Sequence, residues 1–127
     1  MKSMITALMA LILSASSAPS ITPDPMAFNK TTHDFGMIKQ GSPQQAVFVL
    51  TNTSDEPVIL TKVKASCGCT GTTYDKKPIK PGESTEITTT YNAMALGVFK
   101  KTVSVFTSIH DDPMILTLSG EVKPIHS

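Results

Sequence analysis

The chain has 127 residues and a formal net charge of +1, with 11 lysines, no arginine and 10 acidic residues. A nearly neutral chain has little long-range attraction for nucleic acid or for an anionic membrane surface, so neither is an expected partner. The lack of arginine also removes the planar side chain best suited to bidentate recognition of phosphate or carboxylate groups.

The first 18 residues have the organisation of a secretory signal peptide. Lys2 supplies the positive charge, residues 4–13 form a short apolar run, and Ser16 and Ala18 are the small residues of a cleavage site. We expect cleavage after Ala18. The apolar run is about half of the roughly 20 residues that cross a bilayer, so no membrane anchor is expected. No cysteine follows Ala18, so there is no lipobox, and the protein is expected to be exported to the periplasm or secreted.

After cleavage the chain is long enough for one domain and too short for two ordinary ones. We expect a short linker at 19–25, a domain at 26–123 and a tail at 124–127. Turn signals separate β-branched and aromatic residues in alternation, which is typical of an all-β protein. About seven strands are predicted, at 26–29, 32–35, 44–52, 58–65, 84–91, 99–107 and 114–123.

The alternation also predicts which side chains face the interior. On strand 44–52 these are Ala46, Phe48 and Leu50; on 58–65, Ile59, Thr61, Val63 and Ala65; on 84–91, Thr85, Ile87, Thr89 and Tyr91; on 99–107, Phe99, Val103 and Val105; on 114–123, Leu116, Leu118 and Val122. About seven strands in 100 residues favour an immunoglobulin-like antiparallel β-sandwich over a barrel. The tryptophan and the inter-sheet cysteine pair of antibody domains are absent.

The most specific motif is Cys67-Gly68-Cys69, which follows the predicted strand 58–65. In an extended chain, residues two apart point to the same face, so both sulfur atoms project together. A disulfide needs a shorter Cα–Cα span than an extended chain gives, and therefore requires a bend at Gly68.

Three interpretations of Cys67 and Cys69 stay open at this stage. The pair could form a short structural disulfide in an oxidising compartment. It could be redox-active, because a strained and exposed disulfide is readily attacked by a thiol. It could also bind copper or zinc, with His110, Met114 or His33 as further candidate ligands.

Catalytic patterns are weak in this sequence, and we predict no catalytic residues and no enzyme. His33 and Asp34 resemble a base and its orienting acid, but neighbouring residues of a strand point to opposite faces. The acidic pairs Asp111-Asp112 and Asp55-Glu56 fall in predicted turns, where short polar residues are common. No cofactor is expected apart from the possible copper or zinc.

Four segments resemble the bacterial family of unknown function labelled DUF1573: Phe35-Gly36 with Ile38 to Gly41, Phe48 to Thr53, Val63 to Thr70, and Ile79 to Ser84. The resemblance covers roughly Phe28 to Val122. It implies an exported immunoglobulin-like sandwich, akin to ciliary and major-sperm-protein-like domains and often lipid-anchored. This chain departs from the family's lipid-anchored members because it lacks the lipobox cysteine.

The expected function is a non-enzymatic binding or structural module of the bacterial periplasm or cell exterior. The alternative is a thiol-based site at Cys67 and Cys69 that binds Cu(I) or zinc or takes part in thiol–disulfide exchange. The expected partner is an envelope or extracellular protein. The protein itself is expected to be a monomer that has no integral membrane segment after cleavage. Pairing at a sheet edge is the natural means of contact for such a domain.

Overall fold

The computed structural model describes residues 24–125, which form eight β-strands. The predicted signal peptide, its cleavage after Ala18 and the last two residues of the tail lie outside the described residues. The strands are β1 (Met26–Phe28), β2 (Thr32–Lys39), β3 (Gln44–Asn52), β4 (Leu60–Ala65), β5 (Thr70–Tyr74), β6 (Ser84–Tyr91), β7 (Gly97–Thr107) and β8 (Met114–Lys123). Within residues 24–125, no helix has the length and apolarity needed to cross a membrane.

The strands form two four-stranded sheets that pack face to face. The first sheet has the order β1-β3-β6-β5 and is antiparallel, and the second has the order β2-β8-β7-β4. The predicted antiparallel arrangement holds for every pair of described strands except β2 and β8, which run parallel in the second sheet. The chain passes from β1, at the edge of the first sheet, to β2, at the edge of the second sheet, without reversing its direction. Strand β2 therefore lies beside β8 and runs the same way.

The inward faces of the longest strands follow the predicted alternation. The buried residues include Ala46, Phe48 and Leu50 on β3; Ile87, Thr89 and Tyr91 on β6; Phe99, Val103 and Val105 on β7; and Leu116, Leu118 and Val122 on β8. Each fully buried large side chain contributes about 1.5 to 3 kcal/mol by leaving water. Burial of these two facing sets of side chains is what joins the sheets.

Strand β4 starts later than predicted, and its inward face differs. The predicted strand 58–65 begins at Leu60, and Val58 forms only an isolated bridge with Ile79. A register shift between Leu60 and Lys62 marks a β-bulge against β7. A bulge inserts one extra residue and reverses the alternation on one side of it. As a result Leu60 and Val63 are both buried, whereas Ile59, which was predicted to face inward, is 40% exposed.

The edge strands were predicted least well. Strand β2 is twice as long as the predicted strand 32–35, and it continues to Lys39 after an irregularity between Asp34 and Met37. Strand β5 was not predicted at all, because its sequence of threonines and Gly71 lacks apolar alternation. It is held by pairing with β6, from Thr70 beside Tyr91 to Tyr74 beside Ile87.

Asn52 ties together the loops at one end of the sandwich, which we call the Asn52 end. Its side chain is fully buried, and Nδ2 donates to the backbone oxygens of Glu56 and Ile79, both at 2.7 Å. Its Oδ1 accepts from the backbone N–H of Ser54 at 2.9 Å and from the Ser54 hydroxyl at 2.6 Å. The Gly82 N–H donates to the Asn52 carbonyl at 2.8 Å, which adds the turn before β6 to the network.

Replacing Asn52 with alanine is expected to lower the free energy of unfolding by about 2 to 4 kcal/mol, because buried carbonyl and N–H groups lose their partners. Urea unfolding followed by circular dichroism measures the change. Thr51→Ala, which removes a hydroxyl bonded to Ser84 on an exposed part of the sheet, is the control and should cost less than about 1 kcal/mol. Equal losses in the two variants would contradict the role of Asn52.

Candidate functional site

Cys67 and Cys69 lie where the chain leaves the second sheet and enters the first. The structure joins their sulfur atoms in a disulfide, with the Cα atoms 5.3 Å apart. Residues 66–69 form a bend and a turn between the end of β4 and the start of β5, with Gly68 at the centre. The chain thus bends at the glycine, and both cysteines are half-buried.

The turn is fastened to both sheets by backbone and side-chain contacts. The N–H of Asn92 donates to the Cys69 carbonyl at 2.9 Å, and the N–H of Ser66 donates to the Thr102 carbonyl at 2.8 Å. Cys69 also packs against a cluster of buried side chains that is separate from the main core: Ile38, Tyr91, Ala93, Phe99 and Val122. In this cluster the rings of Tyr91 and Phe99 stack with their centroids 4.1 Å apart.

The residues proposed as a metal site are not brought together. The strand register places Leu60, at the start of β4, beside Thr107, and Ala65, just before the cysteines, beside Val103. His110 follows Thr107 and therefore lies at the Asn52 end, away from Cys67 and Cys69. Met114 begins β8 at that same end and packs against the main core. Among residues 24–125, no group of three or more His, Cys, Asp or Glu side chains could hold a metal ion.

His110 does lie between a hydroxyl and a carboxylate, in an order that resembles a catalytic triad. Its Nδ1 is 3.1 Å from Thr107 Oγ1, and its Nε2 is 3.2 Å from Asp24 Oδ1. Thr107, however, is buried, with only 5% of its surface exposed, so its hydroxyl is poorly placed to meet a substrate. The contacts among Thr107, His110 and Asp24 therefore connect the β7–β8 turn to the segment before β1 and do not form an accessible nucleophilic site.

His33 and Asp34 do not form an acid–base pair either. His33 Nδ1 is 2.9 Å from Lys30 Nζ, and its ring meets the edge of Phe35 at a centroid distance of 4.6 Å. Asp34 Oδ1 accepts from the backbone N–H of Gly36 at 2.8 Å. Partial burial lowers the pKa of His33 below 6.5, the positive charge of Lys30 lowers it further, and Asp34 opposes the shift.

Exposed apolar side chains are concentrated at the end of the sandwich that carries the cysteines, opposite Asn52, which we call the cysteine end. Between residues 24 and 125, five of the eight exposed large apolar residues lie there: Met37, Met94, Leu96, Val98 and Ile125. Met37 and Val98 are 75% and 82% exposed, and they flank Glu121 as its neighbours on β2 and β7. Gln40 Nε2 donates to the Met94 carbonyl at 3.0 Å, which fixes the loop that carries Met94 and Leu96.

A shallow groove of about 480 Å³ runs across the outside of the second sheet between these side chains. Met37 and Val98 line it, and Gly36 and Gly120 lie beneath them. A Cβ atom added at Gly120 would come within 2.9 Å of both the Gly36 carbonyl oxygen and the Phe99 ring. Because these contacts leave no room for a larger residue, the glycine permits the strands and the ring to approach closely.

The first part of β7 has a free edge beside the cysteine turn. Strand β4 pairs with β7 from Val103 to Thr107, and the bond from Ser66 to Thr102 is the last contact between them. Strand β7 begins six residues earlier than Val103, at Gly97, and there it pairs with β8 alone among the described strands. Residues 97–101 therefore present one unpaired side, which we call the open edge.

Two packed sheets of this kind define an immunoglobulin-like β-sandwich. Domain 7 of human CEP192, an ASH or PapD-like domain, superimposes with a TM-score of 0.66 at 9% identity, over 80% of this chain and 87% of that domain. The chain belongs to the family described as "Protein of unknown function (DUF1573)", whose sequence model matches residues 26–122. The resemblance found in the sequence is thereby confirmed, as is the fold class.

Other solved structures share the fold as part of longer chains. A protein of unknown function from Porphyromonas gingivalis gives a TM-score of 0.65 at 18% identity, over 76% of this chain and 46% of that one. The VesB protease of Vibrio cholerae gives 0.63 at 13% identity, over 79% and 32%. This chain thus spans less than half the length of either protein, and at such identities the likeness shows the fold alone. None of the curated proteins compared with the chain matches it.

Replacing both cysteines with serine is expected to leave the protein folded and to lower its free energy of unfolding by about 1.5 kcal/mol, since the disulfide closes a very short loop. Urea unfolding measures the change, and a thiol count on the unreduced, unfolded wild-type protein checks for the bond. A loss above about 4 kcal/mol would contradict this estimate, because losses of that size accompany disulfides that close long loops.

The pKa of His33, measured by NMR titration, is expected to lie below 6.5. Lys30→Met should raise the pKa because it removes a positive charge, and Asp34→Asn should lower it further because it removes a negative one. With the folded-state pKa depressed, His33 contributes stability above pH 6.5 that is lost as the pH falls through the folded-state value. A lower pKa in the Lys30→Met variant would contradict this account.

Proposed function

We propose that the domain is a non-enzymatic, exported binding module of the bacterial periplasm or cell exterior, and that it binds a partner protein through its cysteine end. The observation that carries the proposal is the concentration of exposed apolar residues there, with Val98 and Met37 among the most exposed. Large apolar side chains clustered on a surface mark sites of protein interaction, whereas scattered ones need no explanation.

Three further observations support the other parts of the proposal, namely the lack of enzymatic activity and export. The histidines at 33 and 110 are engaged in local contacts, so neither is paired with an accessible nucleophile. The apolar run at 4–13 and the cleavage pattern at Ala18 support export. A disulfide between Cys67 and Cys69 suits an oxidising compartment. A copper or zinc function has no comparable support, because His110 and Met114 lie at the other end. No observation beyond the disulfide itself favours thiol exchange.

Site-specific photo-crosslinking in the producing bacterium tests the proposal. A benzophenone side chain is placed at Leu96, at the cysteine end, or at Ile59, an exposed apolar position near the Asn52 end; these are 56% and 40% exposed. We expect one discrete adduct from position 96 that excess unmodified protein suppresses, and none from position 59. Equal labelling from both positions, or no adduct from position 96, would refute the proposed surface.

A further inference from the structure

The direction of the backbone groups along the open edge follows from one pair of hydrogen bonds. The Thr102 carbonyl accepts from the Ser66 N–H at 2.8 Å, and the Thr102 N–H donates to the Ser66 hydroxyl at 3.1 Å, so both Thr102 groups face β4. In a strand, the N–H and C=O groups of alternate residues face the same side. The groups of Val98 and Lys100 therefore face the open edge, and those of Phe99 and Lys101 face β8.

Val98 and Lys100 consequently present two N–H and two C=O groups with no backbone partner among the described strands. Their side chains lie on the outer face of the second sheet, where Val98 is 82% exposed and Lys100 is exposed. Beyond Ser66 the chain turns away through Cys67, Gly68 and Cys69 to the first sheet. An incoming strand at the open edge would thus continue the line of β4.

The charged residues of β4 and β7, the two strands that border the open edge, all have one sign. Every charged residue on β4 and β7 is a lysine: Lys62, Lys64, Lys100 and Lys101. Lysines on an edge strand oppose pairing with another cationic or identical strand, and they favour a strand that brings negative charge. Glu121 pairs with Val98 from the β8 side, away from the open edge, and its carboxylate is 3.2 Å from Lys123 Nζ.

We infer that the open edge receives an extended segment of a partner protein as an added antiparallel strand, with an acidic residue opposite Lys100 and an apolar residue opposite Val98. This inference rests on the proposed binding function and specifies its mode. Strand addition satisfies the four free backbone groups, and the two outward side chains give selectivity. Because the partner segment runs antiparallel to β7, its sequence from N- to C-terminus has an acidic residue, then any residue, then an apolar residue.

The probe for a first test is an acetylated and amidated pentapeptide of threonine, glutamate, threonine, valine and threonine. Its glutamate and valine share one face, and their N–H groups point at the open edge, while the N–H of the central threonine points away. In an NMR titration at millimolar peptide we expect amide shifts centred on residues 97–101. The amides of Val98 and Lys100 should exchange rapidly in the free protein and more slowly with peptide, unlike those of Phe99 and Lys101.

Two matched peptide pairs test the backbone and the charge. Methylating the valine nitrogen removes one strand hydrogen bond and should weaken binding about fivefold, whereas methylating the central threonine nitrogen should have a much smaller effect. Replacing the glutamate with lysine should weaken binding by a similar factor, and added salt should reduce that difference. On the protein side, Val98→Pro removes the free N–H, and Val98→Ala keeps it, so only the proline variant should lose the exchange protection.

The inference is overturned if both methylated peptides bind alike, or if the lysine peptide binds as well as the glutamate peptide. Shifts confined to the groove around Met37 would also overturn it, because they would indicate side-chain contact without strand addition. Absence of any peptide shift, together with a specific crosslink from position 96, would reject strand addition and leave the proposed binding surface intact. Loss of that crosslink would instead reject the proposed function itself.

Discussion

The departure of the chain from the second sheet after Ser66 is the constraint on which the cysteine end depends. Strand β4 stops there, and the turn through Cys67, Gly68 and Cys69 carries the chain to β5 in the first sheet. Because β7 extends to Gly97, it continues past the last bond with β4 and leaves its first residues paired on one side only. The disulfide and the free backbone groups thus occupy one end of the sandwich for a shared topological reason.

The two ends of the sandwich differ in how their polar groups are satisfied. At the Asn52 end, a buried amide binds the loops together through bonds to Ser54, Glu56 and Ile79. Within residues 24–125, every buried side-chain nitrogen or oxygen has a hydrogen-bond partner. At the cysteine end, backbone groups at the surface stay available. Under the proposed function, recognition takes place at an edge of the sandwich and the core supplies stability.

The sequence predicts best those strands whose apolar alternation is strong. The bounds of β3, β6 and β8 agree with the predicted 44–52, 84–91 and 114–123. Strand β5 could not be predicted from the sequence, because it is stabilised by pairing with β6 and lacks apolar alternation of its own. The bulge after Leu60 likewise depends on pairing with β7. The position of Cys67 and Cys69 at a strand end was predictable. The separation of His110 from them was not, because it depends on strand direction, and the open edge depends on the relative lengths of two neighbouring strands.

The path of the chain through the sandwich also determines how the domain can be presented. Asp24, where the described part of the chain begins, lies at the Asn52 end and contacts His110, so the N-terminal side of the domain is opposite the cysteine end. Lys123 ends β8 at the cysteine end, beside Gly97 and its neighbours. A domain attached through its N-terminal side would present the cysteine end away from the point of attachment. A fusion placed after Lys123 would lie against the cysteine end, so N-terminal attachment is the better geometry for immobilising the protein.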